Sequence, residues 1–246
     1  MKNYSREEYV YLAKLYERAE RYEDMVNWIS KFVQIDANLN SEERNILSAG
    51  FKNIIGNKRS SWRLLQSLEK KEEKKGAKDN SNLKNLQEVK SKVENEMRKI
   101  CDDVQNMLDK YLIPASKDSE TKVFYLKLKG DYYRYRAEFS VGNENQENMN
   151  KADKAYRDAY DIAEKDIPIS SSTRLGLALN FSVFYYEIKN LREEACQIAR
   201  NAFEEAIKIL DDLERTKAKD TILIIQLLKE NLILWNNEMN EEENEN

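Results

Sequence analysis

Apolar residues recur along this chain at helical spacing, in long segments separated by short polar, glycine or proline breaks. Ser5 followed three residues later by Glu8 reads as a capping box that opens a first helix, and Asn40 with Glu43 reads as a variant opening a segment that reaches past Glu69. Two helices are expected before Asn40. Gly76 to Asn82, beside the charged run Lys70 to Lys75, reads as a solvated connection. Leu83 then starts a helix that runs to about Leu112 and is ended by Pro114. Further helical segments are expected over Asp118 to Val141, Gln146 to Lys165, Ser170 to Lys189, Leu191 to Arg215 and Ala218 to Glu238. The pattern therefore predicts an all-α protein of about nine helices, and short connections between long helices imply antiparallel neighbours in a layered array.

Composition supports that class. Hydrophobic residues make up 41% and charged residues 35%, with only 6 glycines and 2 prolines, which suits long helices better than a turn-rich β architecture. Lys plus Arg is 41 against 45 Asp plus Glu, a net charge of −4, so a general nucleic-acid binder is not expected and any basic site must be local. Cys101 and Cys196 lie in helical pattern without CxxC spacing, which points to neither a disulfide framework nor a zinc site and fits a reducing compartment. The first residues lack a secretory apolar stretch, and the longest apolar run, around Thr221 to Leu228, is too short to span a bilayer. A cytoplasmic protein with no membrane insertion is expected. The residues up to Trp235 are expected to form one domain, and residues 236–246, rich in Glu and Asn, a disordered acidic tail.

There are 0 histidines, which removes the commonest general base, metal ligand and nucleophile activator, so no enzyme, metal or cofactor is expected. Gly50 and Gly56 do not have Walker spacing and read as sites of close helix packing. The informative positions are bases spaced by whole turns. Lys52 and Arg59 lie seven residues apart, as do Lys127 and Arg134, so each pair shares a helix face. If the two faces meet, Arg59 and Arg134 would give a phosphate forked hydrogen bonds, with Lys52 and the Tyr135 hydroxyl completing the set. Surface solvation is the commoner role of such bases. Gly176, Leu179, Asn180, Val183 and Glu187 form a second kind of stripe, and Ile224, Leu227, Asn231 and Trp235 another. Apart from Glu187, each is apolar but for an asparagine, whose amide would suit a peptide backbone; ordinary core packing with an incidental Asn is the alternative. Together the stripes suggest a groove, positive on one wall and apolar on the other.

These residues also resemble a family. Arg44 to Gly56 with Arg59-Ser60-Ser61-Trp62-Arg63 is similar to the first signature of the 14-3-3 proteins, and Lys122 to Lys127, Gly130 to Tyr135, Arg174 to Ile188 and Lys219 to Trp235 resemble the family's later blocks. The resemblance covers nearly the whole chain. It implies a nine-helix fold and a cup-shaped dimer whose concave amphipathic grooves hold phosphorylated Ser/Thr motifs of client proteins. By the same resemblance the phosphate-binding residues are Lys52, Arg59, Arg134 and Tyr135. Asn180 and Asn231 are implied as backbone clamps, and Lys127, Leu179, Val183, Glu187, Ile224, Leu227 and Trp235 as groove lining.

Leu15, Ala19 and Ser61 match the family's dimer surface, and Arg21 with Glu96 and Asp24 with Lys92 match its intersubunit ion pairs. Val89 stands where the family usually has tyrosine, which removes an aromatic anchor from the implied homodimer or heterodimer with paralogues. Lys58, Ser172-Thr173 and Lys229-Glu230 also depart from the family's usual residues, conservatively or away from the phosphate. Phosphorylation at Ser61 would put a dianion into the dimer contact and favour monomers. The acidic tail would compete weakly for the groove. The opposing expectation is a phosphate-independent helical-repeat scaffold, which would show no preference for a phosphorylated ligand.

Overall fold

The computed structural model describes residues 4–75, 81–211 and 218–245, with side chains described as far as Glu242. Among these residues it is all-helical, without strands, and no helix is long and apolar enough to cross a membrane. The helices gather into two compact units, residues 1–115 and 116–246.

The first unit holds α1 (Arg6–Arg18), α2 (Tyr22–Ile35), α3 (Ser41–Glu73) and α4 (Ser81–Met107). Both predicted capping boxes form: Ser5 Oγ accepts from the Glu8 N–H and Asn40 Oδ1 from the Glu43 N–H, each glutamate reaching back to the cap N–H. Glu43 is also clamped by Arg6, whose two terminal nitrogens donate at 2.7 and 2.9 Å, so the start of α1 is tied to the start of α3. Between α1 and α2 the chain reverses through Glu20 at φ 55°, and the Arg21 N–H returns to the Tyr16 carbonyl at 2.9 Å. Met25, Ile29 and Phe32 of α2 pack into the core with Leu47, Phe51 and Ile55 of α3 and Met97 and Cys101 of α4. Gly50 fulfils its packing role, since a Cβ there would come within 3.1 Å of Ile29 Cδ1 and 3.3 Å of Met25 Sδ; around Gly56 nothing lies within 4 Å, so the packing expectation fails at that position.

Helix α4 ends at Met107, and Pro114 does not mark the end of the helical path, which stops one residue later at Ala115. The chain continues through a π-helical turn, Leu108–Leu112, into Ile113–Ala115, the Ile113 N–H bonding the Leu108 carbonyl five residues back. A wider turn suits proline, which has no N–H to contribute and whose ring crowds the carbonyl four residues before it. Helix α4 begins at Ser81, so Asn82 is helical; the rest of the expected connection, from residue 76 to 80, lies outside the described residues.

The second unit holds α5 (Ser119–Phe139), α6 (Gly142–Asp166), α7 (Ser172–Glu187), α8 (Arg192–Ile207) and α9 (Lys219–Glu245). Asp118 caps α5 through its Oδ1 and the Thr121 N–H at 2.8 Å. Helix α6 starts four residues earlier than Gln146, because Gly142 takes φ 59° and turns the chain straight from α5 into it. Helix α8 ends at Ile207, and the 212–217 part of the segment expected to reach Arg215 lies outside the described residues. The core is aromatic, with Tyr125, Tyr132, Tyr156 and Phe184 almost wholly buried.

The acidic end departs most from expectation. Helix α9 continues past Trp235 through Glu245 where a disordered tail was predicted. Specific contacts hold it: the Trp235 indole stacks on the Tyr186 ring at 4.5 Å, the Tyr186 hydroxyl donates to Glu238 Oε2 at 2.5 Å, and Arg192 pairs with Glu242 at 2.6 Å. Low hydrophobicity made these residues read as solvated, but three successive turns of one helix face find partners on α7 and α8.

Candidate functional site

The expected phosphate-binding residues divide between the two units, and each half stands on its own scaffold. In the first unit Lys52 is exposed and Arg59 half-buried, both on α3. Below them α3 is fixed by buried Ile54, Ile55 and Trp62, and the Trp62 Nε1–H donates to Glu94 Oε1 of α4 at 2.8 Å. Lys52 forms no ion pair among the described residues.

The second unit carries the more elaborate half. Arg134 of α5 is buried, with its Nε–H directed at the Tyr156 hydroxyl at 3.2 Å and Nη2 at Asp131 Oδ1 at 3.4 Å. Its guanidinium lies 4.6 Å from the centroid of the half-buried Tyr135 ring. The side edge of the guanidinium is thus occupied, while the end edge, formed by Nη1 and the other Nη2 hydrogen, takes no partner among the described residues. Asp131 is the hub. Its Oδ2 accepts from Lys127 Nζ at 2.9 Å, and its Oδ1 from the Tyr156 hydroxyl at 2.6 Å and Asn180 Nδ2 at 2.9 Å. Burial pushes the Asp131 carboxyl up, but the adjacent Lys127 and Arg134 charges outweigh it and hold the pKa below the ordinary value. Burial likewise opposes the Arg134 charge, yet the Tyr156, Tyr135 and Asp131 oxygens keep the guanidinium pKa well above its usual range.

Neither Asp131 nor Tyr156 is among the site residues drawn from the sequence. Asp131 left a trace, lying four residues after Lys127 and three before Arg134 on the same helix face. Tyr156 left none, since it arrives from α6. Gly130 makes the approach possible: a Cβ there would meet the Tyr156 ring at 2.8 Å.

The two amphipathic stripes also come together. Gly176 of α7 faces Ile224 of α9, whose Cδ1 would lie 3.7 Å from a Cβ at that position. Leu179, Asn180, Val183, Ile224 and Asn231 are half-buried, while Glu187 and Leu227 are exposed. Asn180 spends one amide hydrogen on Asp131, and the Asn231 amide has no hydrogen-bond partner among the described residues. Trp235 is only 4% exposed and stacks on the Tyr186 ring at 4.5 Å.

Of the residues matched to a dimer surface, Leu15 and Val89 are apolar and exposed, and Ala19 and Ser61 are also exposed. Tyr11, Leu64 and Leu68 are exposed apolar residues of the same unit that the sequence did not single out. Within this one chain Arg21 pairs with Asp24 at 2.5 Å and Glu96 with Lys58 at 2.6 Å, so the expected intersubunit pairs would require these charges to exchange partners.

A family model described as 14-3-3 protein matches residues 12–236. The chain is 50% identical over 240 residues to the 14-3-3-like protein GF14 epsilon of Arabidopsis thaliana, covering 98% of this chain and 94% of the relative. It is 51% identical over 237 residues to the 14-3-3-like protein B of Vicia faba, covering 96% and 90%. A 14-3-3 protein homolog of Trichoderma harzianum is 50% identical over 229 residues, covering 93% and 87%. Signature blocks, an all-helical fold and near-complete alignment agree, and the chain belongs to the 14-3-3 family of protein-binding adaptors.

Proposed function

We propose that this adaptor binds phosphoserine and phosphothreonine motifs of client proteins, with Lys52, Arg59, Arg134 and Tyr135 holding the phosphate. The observation that carries the reading is the buried Arg134, gripped along its side edge by Tyr156 and Asp131 and covered on one face by the Tyr135 ring, while its end edge remains available. A guanidinium end edge offers two parallel N–H groups, which match two oxygens of a phosphate. The half-buried stripe of Leu179, Val183 and Ile224, with Asn180 and Asn231 among them, suits the backbone and apolar side chains of an extended segment. No catalytic step is needed; the protein acts by presentation, in the cytoplasm.

A homodimer, or a heterodimer with a paralogue, would be built on Leu15, Ala19, Ser61 and Val89, with Arg21, Asp24, Lys92 and Glu96 supplying charge pairs. Two linked grooves raise the effective concentration for a client with two sites. Phosphorylation of Ser61 would favour monomers.

The test is titration against a fluorescent peptide in phosphorylated and plain forms, repeated with Lys52→Glu. Binding of the phosphorylated form alone, abolished by Lys52→Glu with helicity unchanged, is expected. Equal binding of both forms, the behaviour of a phosphate-independent scaffold, would overturn the proposal.

A further inference from the structure

We infer that Asp131, steadied by Tyr156, is a positioning residue that makes the site selective for a phosphate over a carboxylate, an inference that rests on the phosphate-binding reading above. A buried acid beside an anion site is at first sight a handicap. With Lys127 and Arg134 each contributing one positive charge and Asp131 one negative, this half of the site carries a net charge of only 1 + 1 − 1 = +1. What the acid supplies is geometry. Lys127 has a flexible four-carbon stem, and Asp131 Oδ2 fixes its ammonium at 2.9 Å. The Tyr156 hydroxyl accepts from Arg134 Nε while donating to Asp131 Oδ1 at 2.6 Å, so guanidinium and carboxylate are locked to one ring that is itself fully buried. Asn180 adds a third donor to the same oxygen at 2.9 Å.

The two effects act differently on two ligands. Phosphoserine near neutral pH carries a charge of about −1.5 to −2 and three terminal oxygens, so it gains from every donor held in place and draws strongly on even a small positive surplus. A glutamate side chain has one charge and two coplanar oxygens, and a fixed, weakly positive cluster rewards it little. Neutralising Asp131 would raise the local charge from +1 to +2 and release Lys127 and Arg134 from their fixed poses. The added charge would draw a phosphate more than a carboxylate, so a narrowed preference would report the loss of the ordered donors.

The experiment measures Kd for three fluorescent peptides, identical except for phosphoserine, glutamate or serine at one position, against wild type, Asp131→Asn and Tyr156→Phe. Asp131→Asn is expected to narrow the phosphoserine-to-glutamate affinity ratio by about tenfold or more, since charge-assisted hydrogen bonds are what it loses. Tyr156→Phe, which keeps the ring, is expected to narrow the ratio in the same direction and carries the test should Asp131→Asn lose helicity by circular dichroism. A purely structural role would weaken all three peptides in parallel and leave the ratio intact; that result, or an unchanged set of affinities, overturns the positioning role. Wild-type protein that binds phosphoserine and serine peptides alike overturns the phosphate reading itself, and this inference with it.

Discussion

Replacing Gly130 by alanine adds one methyl group at the place where α5 comes nearest α6, and its cost can be worked out from the geometry. The new Cβ would lie 2.8 Å from Tyr156 Cδ1 and Cε1 and 2.9 Å from Cζ. Carbon atoms prefer separations of about 3.5–4.0 Å, so the ring must retreat by nearly 1 Å. It has little room, because Tyr156 is fully buried and packed against Phe181 at 5.4 Å and Phe184 at 5.5 Å. Overpacking of this kind costs about 1–3 kcal/mol. A retreat also stretches the Tyr156 bonds to Asp131 and Arg134, and hydrogen bonds to charged groups contribute about 1.5–3 kcal/mol. Alanine returns about 1 kcal/mol through its better helix propensity. The net expectation is a destabilisation of about 2–4 kcal/mol, which for a chain of this size lowers Tm by roughly 5–15 °C.

Gly56→Ala is the matched control. It is also a helix-interior glycine, but nothing lies within 4 Å of the added atom, so stability should rise by up to about 1 kcal/mol. Urea unfolding of both variants, followed by circular dichroism, gives the comparison. A Tyr156→Phe background adds a further check: if Gly130→Ala acts partly by breaking the hydroxyl's bonds, the double variant will cost less than the sum of the two. Phosphopeptide affinity should fall in Gly130→Ala and not in Gly56→Ala. A Gly130→Ala protein as stable as the parent, or an equal response at both glycines, would refute the crowding of Tyr156 as the cause.

Three further outcomes follow from other parts of the molecule. Burial pushes the Glu43 carboxyl up, yet its bonds from Arg6 and the Asn40 N–H hold its pKa below the ordinary value; the stability it contributes is therefore present above the unfolded carboxyl pKa of about 4.3 and is lost as pH falls through the lowered folded value. Glu43→Gln should cost about 1.5–3 kcal/mol at pH 7, and denaturation at acid pH should show the gap closing; a constant gap would count against it. Val89→Tyr should tighten self-association by about 0.5–1.5 kcal/mol in sedimentation equilibrium, by restoring an aromatic anchor on an exposed helix face, and an unchanged dimer constant would remove Val89 from the interface. Arg192→Ala should speed amide hydrogen exchange across residues 236–245 while α7 keeps its protection, and identical exchange in this variant would show that the Arg192–Glu242 pair does not hold the end of α9.

Sequence alone determined the helical class, the two capping boxes at Ser5 and Asn40, the Asp118 start of α5 and the family, because each depends on residues within one or two turns or on long blocks of fixed spacing. It also placed Lys127 with Arg134 on one helix face, and Leu179, Asn180 and Val183 on another. What it left undecided involves partners far apart in the chain. The continuation of α9 depends on Tyr186 and Arg192, 52 and 50 residues before the glutamates they hold, and no local signal in an acidic stretch reports such partners. The helical path from Met107 through Pro114 to Ala115 depends on a π turn that local propensity does not specify. The cluster around Asp131 exists only because Gly130 lets a ring from α6, 25 residues further on, reach the carboxylate, and Asn180 joins from 49 residues away. Spacing along one helix can show which side chains share a face; only tertiary packing decides what that face meets, and so which of its charges are fixed and which remain available to a ligand.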